Sequence, residues 1–295
     1  MAERLVLVGG ATGRQGRAVT EALRAKGHAV RALVRSTDDP ATEPLRELGV
    51  ELVVGDNDNR ESLEAAAAGV DSMFAMTTPA VGVDVEVEHG RALVNAAAAA
   101  GVEHIVYSSV ASADGRTGIP HFDSKQEVEE YLTTQDIPST VVAPVWFMDN
   151  LLFPWTVADL RNGSFRLALA PDTKLQQVFS QDIGAFAAHA LDQREPFLGE
   201  RVEIAGDELT GAEMARVLAD ATGRPISFEE QSLDEVRSQF EDMATMYEWI
   251  GSVGFSADPG RLHAEHAGID WTSFEQWASD QDWDEILSAD PEAGA

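Results

Sequence analysis

The stretch LVLVGGATGRQGRAV, Leu5 to Val19, sets four glycines within eight residues directly after an apolar run. Regular strands and helices avoid such a density. Glycine lacks a Cβ, so it takes a positive φ in a tight turn and lets another group come close to the main chain. Gly10, Gly13 and Gly16 stand three apart, between a strand-like run (Arg4 to Val8) and a helical pattern (Arg14 to Lys26). The loop thus delivers the chain to a helix start, whose unpaired N–H groups and positive dipole end suit a phosphate. An ordinary glycine-rich βα turn would read the same way, so the rest of the chain has to decide.

Apolar, β-rich runs recur at Arg4–Val8, His28–Val34, Val50–Val54, Asp71–Met76, Glu103–Ser108 and Ser139–Val145. Amphipathic stretches lie between them, among them Glu61–Ala68, Val85–Ala100 and Phe122–Gln135. Six strands alternating with helices predict an α/β fold, a doubly wound parallel sheet of Rossmann type with both faces covered. In such sheets a ligand binds beyond the carboxyl ends of the strands, where the first glycine loop lies. Past Asn150 the alternation fades. Asp182–Leu191 reads as one more helix of the first layer, and from Pro196 a mixed region runs to the end. The expected division is a nucleotide-binding domain over 1–150, with 178–192 returning to it, and a smaller interwoven C-terminal lobe over 151–295 for substrate or partner.

The chain has 295 residues and 44% apolar composition, enough for a sizeable core. No apolar run reaches the ~18 residues of a membrane span. The first residues show no basic segment followed by an apolar core and cleavage site, which predicts a soluble cytoplasmic protein with no membrane partner. The absence of cysteine excludes disulfides, thiolate metal sites and a cysteine nucleophile. His89, His104, His263 and His266 show no spacing with carboxylates that suggests a metal. Fifty-one acidic against 21 basic residues give a net charge of −30, which argues against nucleic acid as a partner. Spread along the whole chain, with an additional excess from Asp280 to Glu292, the surplus resembles that of proteins from salt-loving microbes, where salt screens self-repulsion. It is a habitat signal rather than a functional one. Monomer and homodimer both remain open.

If a dinucleotide sits on the glycine loop, the end of the second strand selects which. An acid about 20 residues on would hold the bare ribose of NAD. Here Arg35 stands nineteen residues after Gly16, and a guanidinium can clamp a 2′-phosphate instead. Arg14 adds a further phosphate contact. Asp56, with Asn57 after it, ends the third strand and could accept from an adenine amino group. Thr77, Thr78 and Pro79 end the fourth strand beside the pyrophosphate or ribose path. Asp and Thr are equally ordinary helix caps and turn formers.

The motifs GGATGRQG, VRALVR, VVGDNDNRESLEAAAAGVD, YSSV, HFDSKQEVEEYL and WFMDNLL follow in order over roughly the first 190 residues. With this set the sequence resembles the NmrA-like family of atypical short-chain dehydrogenase/reductases, most closely its HSCARG-like branch. The resemblance implies an NADP(H) site carried by Gly10, Ala11, Thr12, Gly13, Arg14, Gln15, Gly16, Arg35, Asp56, Asn57, Thr77, Thr78, Pro79 and Lys125. It also implies that Phe147, Met148, Asp149 and Asn150 lie near the nicotinamide. In orthodox relatives a tyrosine four residues before the lysine donates the proton; this chain has His121 there. Lys125 can still hold ribose hydroxyls. His121 is either a replacement acid, since imidazole titrates near neutrality, or a packing residue at the helix start. Tyr107 reads as core, and Ser108 and Ser109 as either substrate contacts or turn residues. An Arg-Pro pair frequent in the family is here Ala143-Pro144, which puts any arginine-dependent contact in doubt.

Two functions follow from the resemblance. One is a redox sensor or regulatory protein whose conformation or affinity for a protein partner shifts with the NADPH/NADP+ ratio. The other is an NADPH-dependent oxidoreductase acting on a quinone or similar small acceptor. Sugar-nucleotide epimerase chemistry is disfavoured by the missing tyrosine.

Overall fold

A computed structural model of the chain describes residues 3–289; positions 290–292 of the acidic stretch Asp280 to Glu292 lie outside the described residues. Six strands form where the apolar runs predict them: β1 (Leu5–Val8), β2 (Ala29–Val34), β3 (Glu51–Val54), β4 (Ser72–Met76), β5 (His104–Ser108) and β6 (Ser139–Pro144). They pair in parallel throughout, in the order β3-β2-β1-β4-β5-β6. The chain moves outward from β1 through β2 to β3, then crosses back to place β4 on the other side of β1. That reversal is the switch point at which doubly wound sheets open a crevice. Apart from the edge strand β3, which has no buried residue, the strands are nearly continuously apolar because helices cover both faces; Val6, Val8, Phe74, Ala75, Ile105 and Val106 are all essentially inaccessible.

A seventh strand, Arg201–Ile204, lies at the β6 edge of the sheet. It lies in the mixed region after Pro196, where RVEI alternates charged and apolar residues and carries no signal of a buried parallel strand. As an edge strand it needs none.

By compactness the chain divides into two units, Met1–Pro144 with Ser180–Glu203, and Val145–Phe179 with Ile204–Ala295. In the first, helix α1 (Arg14–Ala25) packs against the helix Ser180–Gln193. Gly184 makes this approach possible: a Cβ there would run into the backbone and side chain of Ala18. The second unit holds a three-stranded sheet of Trp146–Phe147, Lys174–Val178 and Asp207–Thr210, a two-stranded pair of Ser164–Leu167 with Ser227–Glu230, and short helices to Ser288. Among the described residues no helix is long and apolar enough to cross a membrane.

His104 begins β5 with no exposed surface, its Nε2 2.8 Å from Thr140 Oγ1 on β6. Thr140 gives its only hydroxyl proton to the Phe197 carbonyl at 2.6 Å, so Nε2 must donate and the ring is the neutral Nε2–H tautomer. Its Nδ1 is buried without a partner, so a second proton would find no acceptor. Burial first, then the nearby Arg194 and Arg4 charges, push the pKa down to about 4. A base depressed in the folded state contributes stability that is complete above about pH 6.5 and lost as pH falls toward 4, on the order of 3 kcal/mol. His104→Gln keeps a donor for Thr140 and cannot titrate. The stability difference between wild type and this variant, read from urea midpoints at pH 7 and pH 4, should therefore shift by that amount in the variant's favour on acidification. A difference that stays constant with pH would show His104 protonates freely.

Candidate functional site

The glycine loop after β1 gives each of its four glycines a different task. Gly9 N–H bonds the Phe74 carbonyl at 2.9 Å, fixing the start of the loop to β4. Gly10 has φ +65°, a turn conformation that L side chains rarely adopt, and a Cβ there would lie 2.6 Å from Met76 Sδ. Gly13 N–H closes the turn on the Gly10 carbonyl at 2.9 Å, and Gly13 then serves as the N-cap of α1. Gly16, in the first turn of α1, packs on the backbone of Gly10 and Ala11 so closely that no Cβ fits. Gly13 is different. Its backbone (φ −89°, ψ 169°) suits any residue, and a Cβ would meet only the Gly10 carbonyl oxygen, at an ordinary 3.4 Å. Packing therefore does not require the glycine; an N-cap, where glycine is favoured, and an unobstructed approach to the helix start both accommodate it. Beside it, Gln15 is buried to 7% exposure and its Oε1 has no donor, while Thr12, Gly13 and Arg14 are exposed.

The next two strand ends adjoin this loop through the β1–β2 and β2–β3 pairings. Arg35 follows β2 directly, is exposed, and has no ion-pair partner among the described residues. Gly55 N–H bonds the Val34 carbonyl at 3.0 Å, holding the end of β3 beside it. The Asp56 carboxylate accepts from Asp58 N–H at 3.1 Å, and Asp56 N–H donates to Ser62 Oγ at 3.0 Å. Asp56 thus serves its own turn, with Asn57 half-buried in that turn. Thr78 likewise accepts from Ala80 N–H at 3.4 Å, capping the short 3-10 turn that begins at Pro79.

Thr77 does something else. Lys125, in the helix Pro120–Thr133, reaches the end of β4 and donates to the Thr77 carbonyl at 2.6 Å and to Thr77 Oγ1 at 3.1 Å. It also pairs with Glu86 Oε1 at 2.9 Å. Glu86, in the helix Val83–Ala100, has no exposed surface; its Oε1 takes a hydrogen bond from Thr77 Oγ1 at 3.1 Å and its Oε2 one from Ser124 Oγ at 2.6 Å. Glu86 lies in none of the sequence motifs. The available signal was a carboxylate on the apolar stripe that also carries Val87, Gly90, Leu93, Val94 and Ala97. Burial lowers the Lys125 pKa, and the charges of Glu86 and Glu129 work against that.

Tyr107 is core, with no exposed surface, as its strand position predicts. Its ring nevertheless lies 5.7 Å from Lys125 Nζ and its hydroxyl 3.4 Å from Thr77 Oγ1. A phenol does stand near the lysine, brought there by β5 rather than by the lysine's own helix. Burial raises its pKa, so it stays protonated and faces the protein. Tyr131 is bound to Asn95 Oδ1 at 2.6 Å. Ser109 is committed as well: its hydroxyl donates to Glu129, which Arg201 Nε also bonds at 2.9 Å, so Ser109 holds structure in place rather than presenting its hydroxyl to a substrate. His121 occupies the first turn of the Lys125 helix, half-buried, edge-on to Phe122 at 4.8 Å.

Phe147 to Asn150 belong to the second unit. Trp146–Phe147 pairs in parallel with Lys174–Val178, and a 3-10 helix over Met148–Leu152 follows, with Met148 and Asp149 buried and the Asn150 carbonyl accepting from Phe153 N–H at 3.2 Å.

Comparison with known proteins adds three findings. A profile of the NmrA-like family matches residues 2–283. A (4-alkanoyl-5-oxo-2,5-dihydrofuran-3-yl)methyl phosphate reductase of Streptomyces griseus is 33% identical over 236 residues, 79% of each chain, and an NAD(P)H azoreductase of Xenophilus azovorans is 32% identical over 249 residues, 81% of each chain. Among solved structures, the NADPH-dependent quinone oxidoreductase QOR2 of Escherichia coli in complex with NADPH superposes with a TM-score of 0.79 at 25% identity, over 93% of this chain and 98% of that one.

Proposed function

Because the chain belongs to the NmrA-like family, we propose that it is an NADP(H)-dependent oxidoreductase whose acceptor is a quinone or a comparably conjugated compound. The observation that carries the reading is Gly13: a glycine at a helix start that neither packing nor its φ and ψ require. The surrounding residues fit a dinucleotide phosphate. Gly10, Ala11, Thr12, Gly13, Arg14, Gln15 and Gly16 cradle the pyrophosphate, while the orphaned Gln15 Oε1, an acceptor, suits a hydroxyl or amide donor elsewhere on the cofactor rather than the phosphate itself. Arg35 takes the 2′-phosphate, Asp56 and Asn57 flank the adenine, and Thr77, Thr78, Pro79 and Lys125 border the ribose. Two relatives above 30% identity bear the names of reductases, which supports catalysis over a purely regulatory role.

When bound, the reduced nicotinamide supplies a hydride, so the acceptor gains two electrons and one hydrogen, and its second proton comes from water. The chain's own residues agree with that division. Position 121 offers imidazole rather than a phenol, and Tyr107 is sealed in the core. A simple ketone, which needs its oxygen protonated as the hydride arrives, is poorly served; a quinone delocalises the charge and needs less help.

NADPH consumption against a panel of quinone and azo acceptors, beside titration of NADPH and NADP+, tests the reading. Turnover with a conjugated acceptor is expected. His121→Ala should change kcat less than about threefold, while Lys125→Ala should raise the apparent KM for NADPH about tenfold, the loss of one charged hydrogen-bonding group. A hundredfold fall in kcat for His121→Ala at unchanged NADPH affinity would make the histidine the general acid. Tight NADPH binding without turnover of any acceptor would instead favour the sensor, which requires unequal affinity for the two cofactor forms.

A further inference from the structure

We propose that Glu86 is the positioning residue of the cofactor site: it holds the Lys125 ammonium charged and aimed at the end of β4, where a ribose hydroxyl exchanges with the Thr77 hydroxyl. The inference rests on the NADP(H) reading and assigns a role to a residue that the glycine-loop and lysine motifs do not include.

An ammonium has three protons to give. Those of Lys125 have three acceptors inside the protein: Thr77 O at 2.6 Å, Thr77 Oγ1 at 3.1 Å and Glu86 Oε1 at 2.9 Å. A ligand hydroxyl can therefore engage the lysine only by replacing one of them. The Thr77 carbonyl is fixed by the backbone at the end of β4, and Glu86 carries the opposite charge. The Thr77 hydroxyl is the weakest and longest of the three. It also has a second use at hand, since it already lies 3.1 Å from Glu86 Oε1 and can keep donating there once the lysine lets go. Glu86 itself is locked: Ser124 Oγ donates to its other oxygen at 2.6 Å, from the residue directly before Lys125 on the same helix. One carboxylate thus fixes the lysine, the threonine and the helix start together.

The charge matters as much as the aim. Lys125 is 8% exposed, and an ammonium so buried without a partner gives up its proton. The titratable groups that face it are Glu86 from the Val83–Ala100 helix, Tyr107 from β5 with its ring 5.7 Å away, and Glu129 at longer range on its own helix. Tyr107 is neutral, and Glu129 is occupied by Ser109 and Arg201. Glu86 is the only carboxylate in direct contact with the ammonium among the described residues.

The test compares NADPH dissociation constants from pH 6 to 10 for wild type, Glu86→Gln, Lys125→Met and the double variant, with thermal midpoints recorded for each. Wild-type affinity should be flat across most of this range. Glu86→Gln should weaken binding about tenfold at neutral pH, the equivalent of one charged hydrogen bond, and progressively more as pH rises. In the Lys125→Met background Glu86→Gln should add less than about twofold and no pH dependence, because its effect passes through the lysine. The chain has three lysines, Lys26, Lys125 and Lys174, so carbon-13 labelling resolves the Lys125 ε-carbon directly. Its titration should move to lower pH in Glu86→Gln without any cofactor present. Should Glu86→Gln not fold, Glu86→Asp carries the test: it should keep the flat pH profile with weaker binding, and lose that weakening in the Lys125→Met background. Equal effects of the glutamate substitution with and without the lysine would overturn the inference while leaving the NADPH site intact. A wild-type protein that does not bind NADPH would overturn the reading on which it rests.

Discussion

Gly13→Val should abolish NADPH binding, weakening it a thousandfold or more, while leaving far-UV circular dichroism and the thermal midpoint nearly unchanged. The backbone at Gly13 already lies in the extended region that valine favours, and the first side-chain atom meets only the Gly10 carbonyl oxygen at 3.4 Å. Only the N-cap preference for glycine over valine resists the substitution, on the order of 1 kcal/mol. The two methyls instead fill the space in front of the exposed N–H groups of α1, and a pyrophosphate held by several such groups loses about 4 kcal/mol if it cannot approach. Gly16→Val is the control of opposite sign. Its Cβ collides with the Gly10 carbonyl and Ala11 backbone, so the loop itself must move, and both folding stability and binding should fall. Isothermal titration with NADPH alongside thermal melts separates the two. Tight NADPH binding by a folded Gly13→Val protein would place the site elsewhere.

Arg35→Glu should weaken NADPH binding by ten- to a hundredfold, about 1.5–3 kcal/mol for a charged hydrogen bond, and leave NADH affinity equal or improved. Arg35 stands exposed at the end of β2 without an ion-pair partner among the described residues, so its removal breaks nothing in the fold. The substituted carboxylate is the group that a bare ribose prefers at this strand end. The expected outcome is a reversal of preference, visible as a crossing of the two dissociation constants. Equal wild-type affinities for NADPH and NADH would contradict it.

The parts of the molecule legible in the sequence are those written in local chemistry. The parallel strands inside the sheet declare themselves as apolar runs because both their faces are buried, and the loop at Gly10 to Gly16 because Gly10 needs a positive φ and Gly16 leaves no room for a Cβ. What stayed hidden is written in pairings across the fold. Glu86 looks like any helix acid until β4 and the Lys125 helix close on it. Tyr107, read correctly as core, turns out to lie under Lys125 only because neighbouring strands set Tyr107 beside Ala75 and so one residue from the end of β4. Ser109 reads as a possible substrate contact until Glu129, twenty residues on, claims its hydroxyl. The Arg201–Ile204 strand, polar on alternate residues, becomes a strand only by adding to an existing edge.

The return of Ser180–Glu203 to the first unit bears on how the protein is made. A nascent chain that has emerged through Pro144 carries the glycine loop and six strands, yet lacks the helix that Gly184 seats on α1 and the strand that covers β6. Until some sixty further residues are synthesised, one face of α1 and the open edge of β6 stay exposed, and apolar surface of that kind invites aggregation. Slow elongation through the intervening stretch, Val145–Phe179, prolongs that exposure. The cell's interest in this protein therefore begins on the ribosome, where chaperone demand should peak before residue 203 and fall away after it.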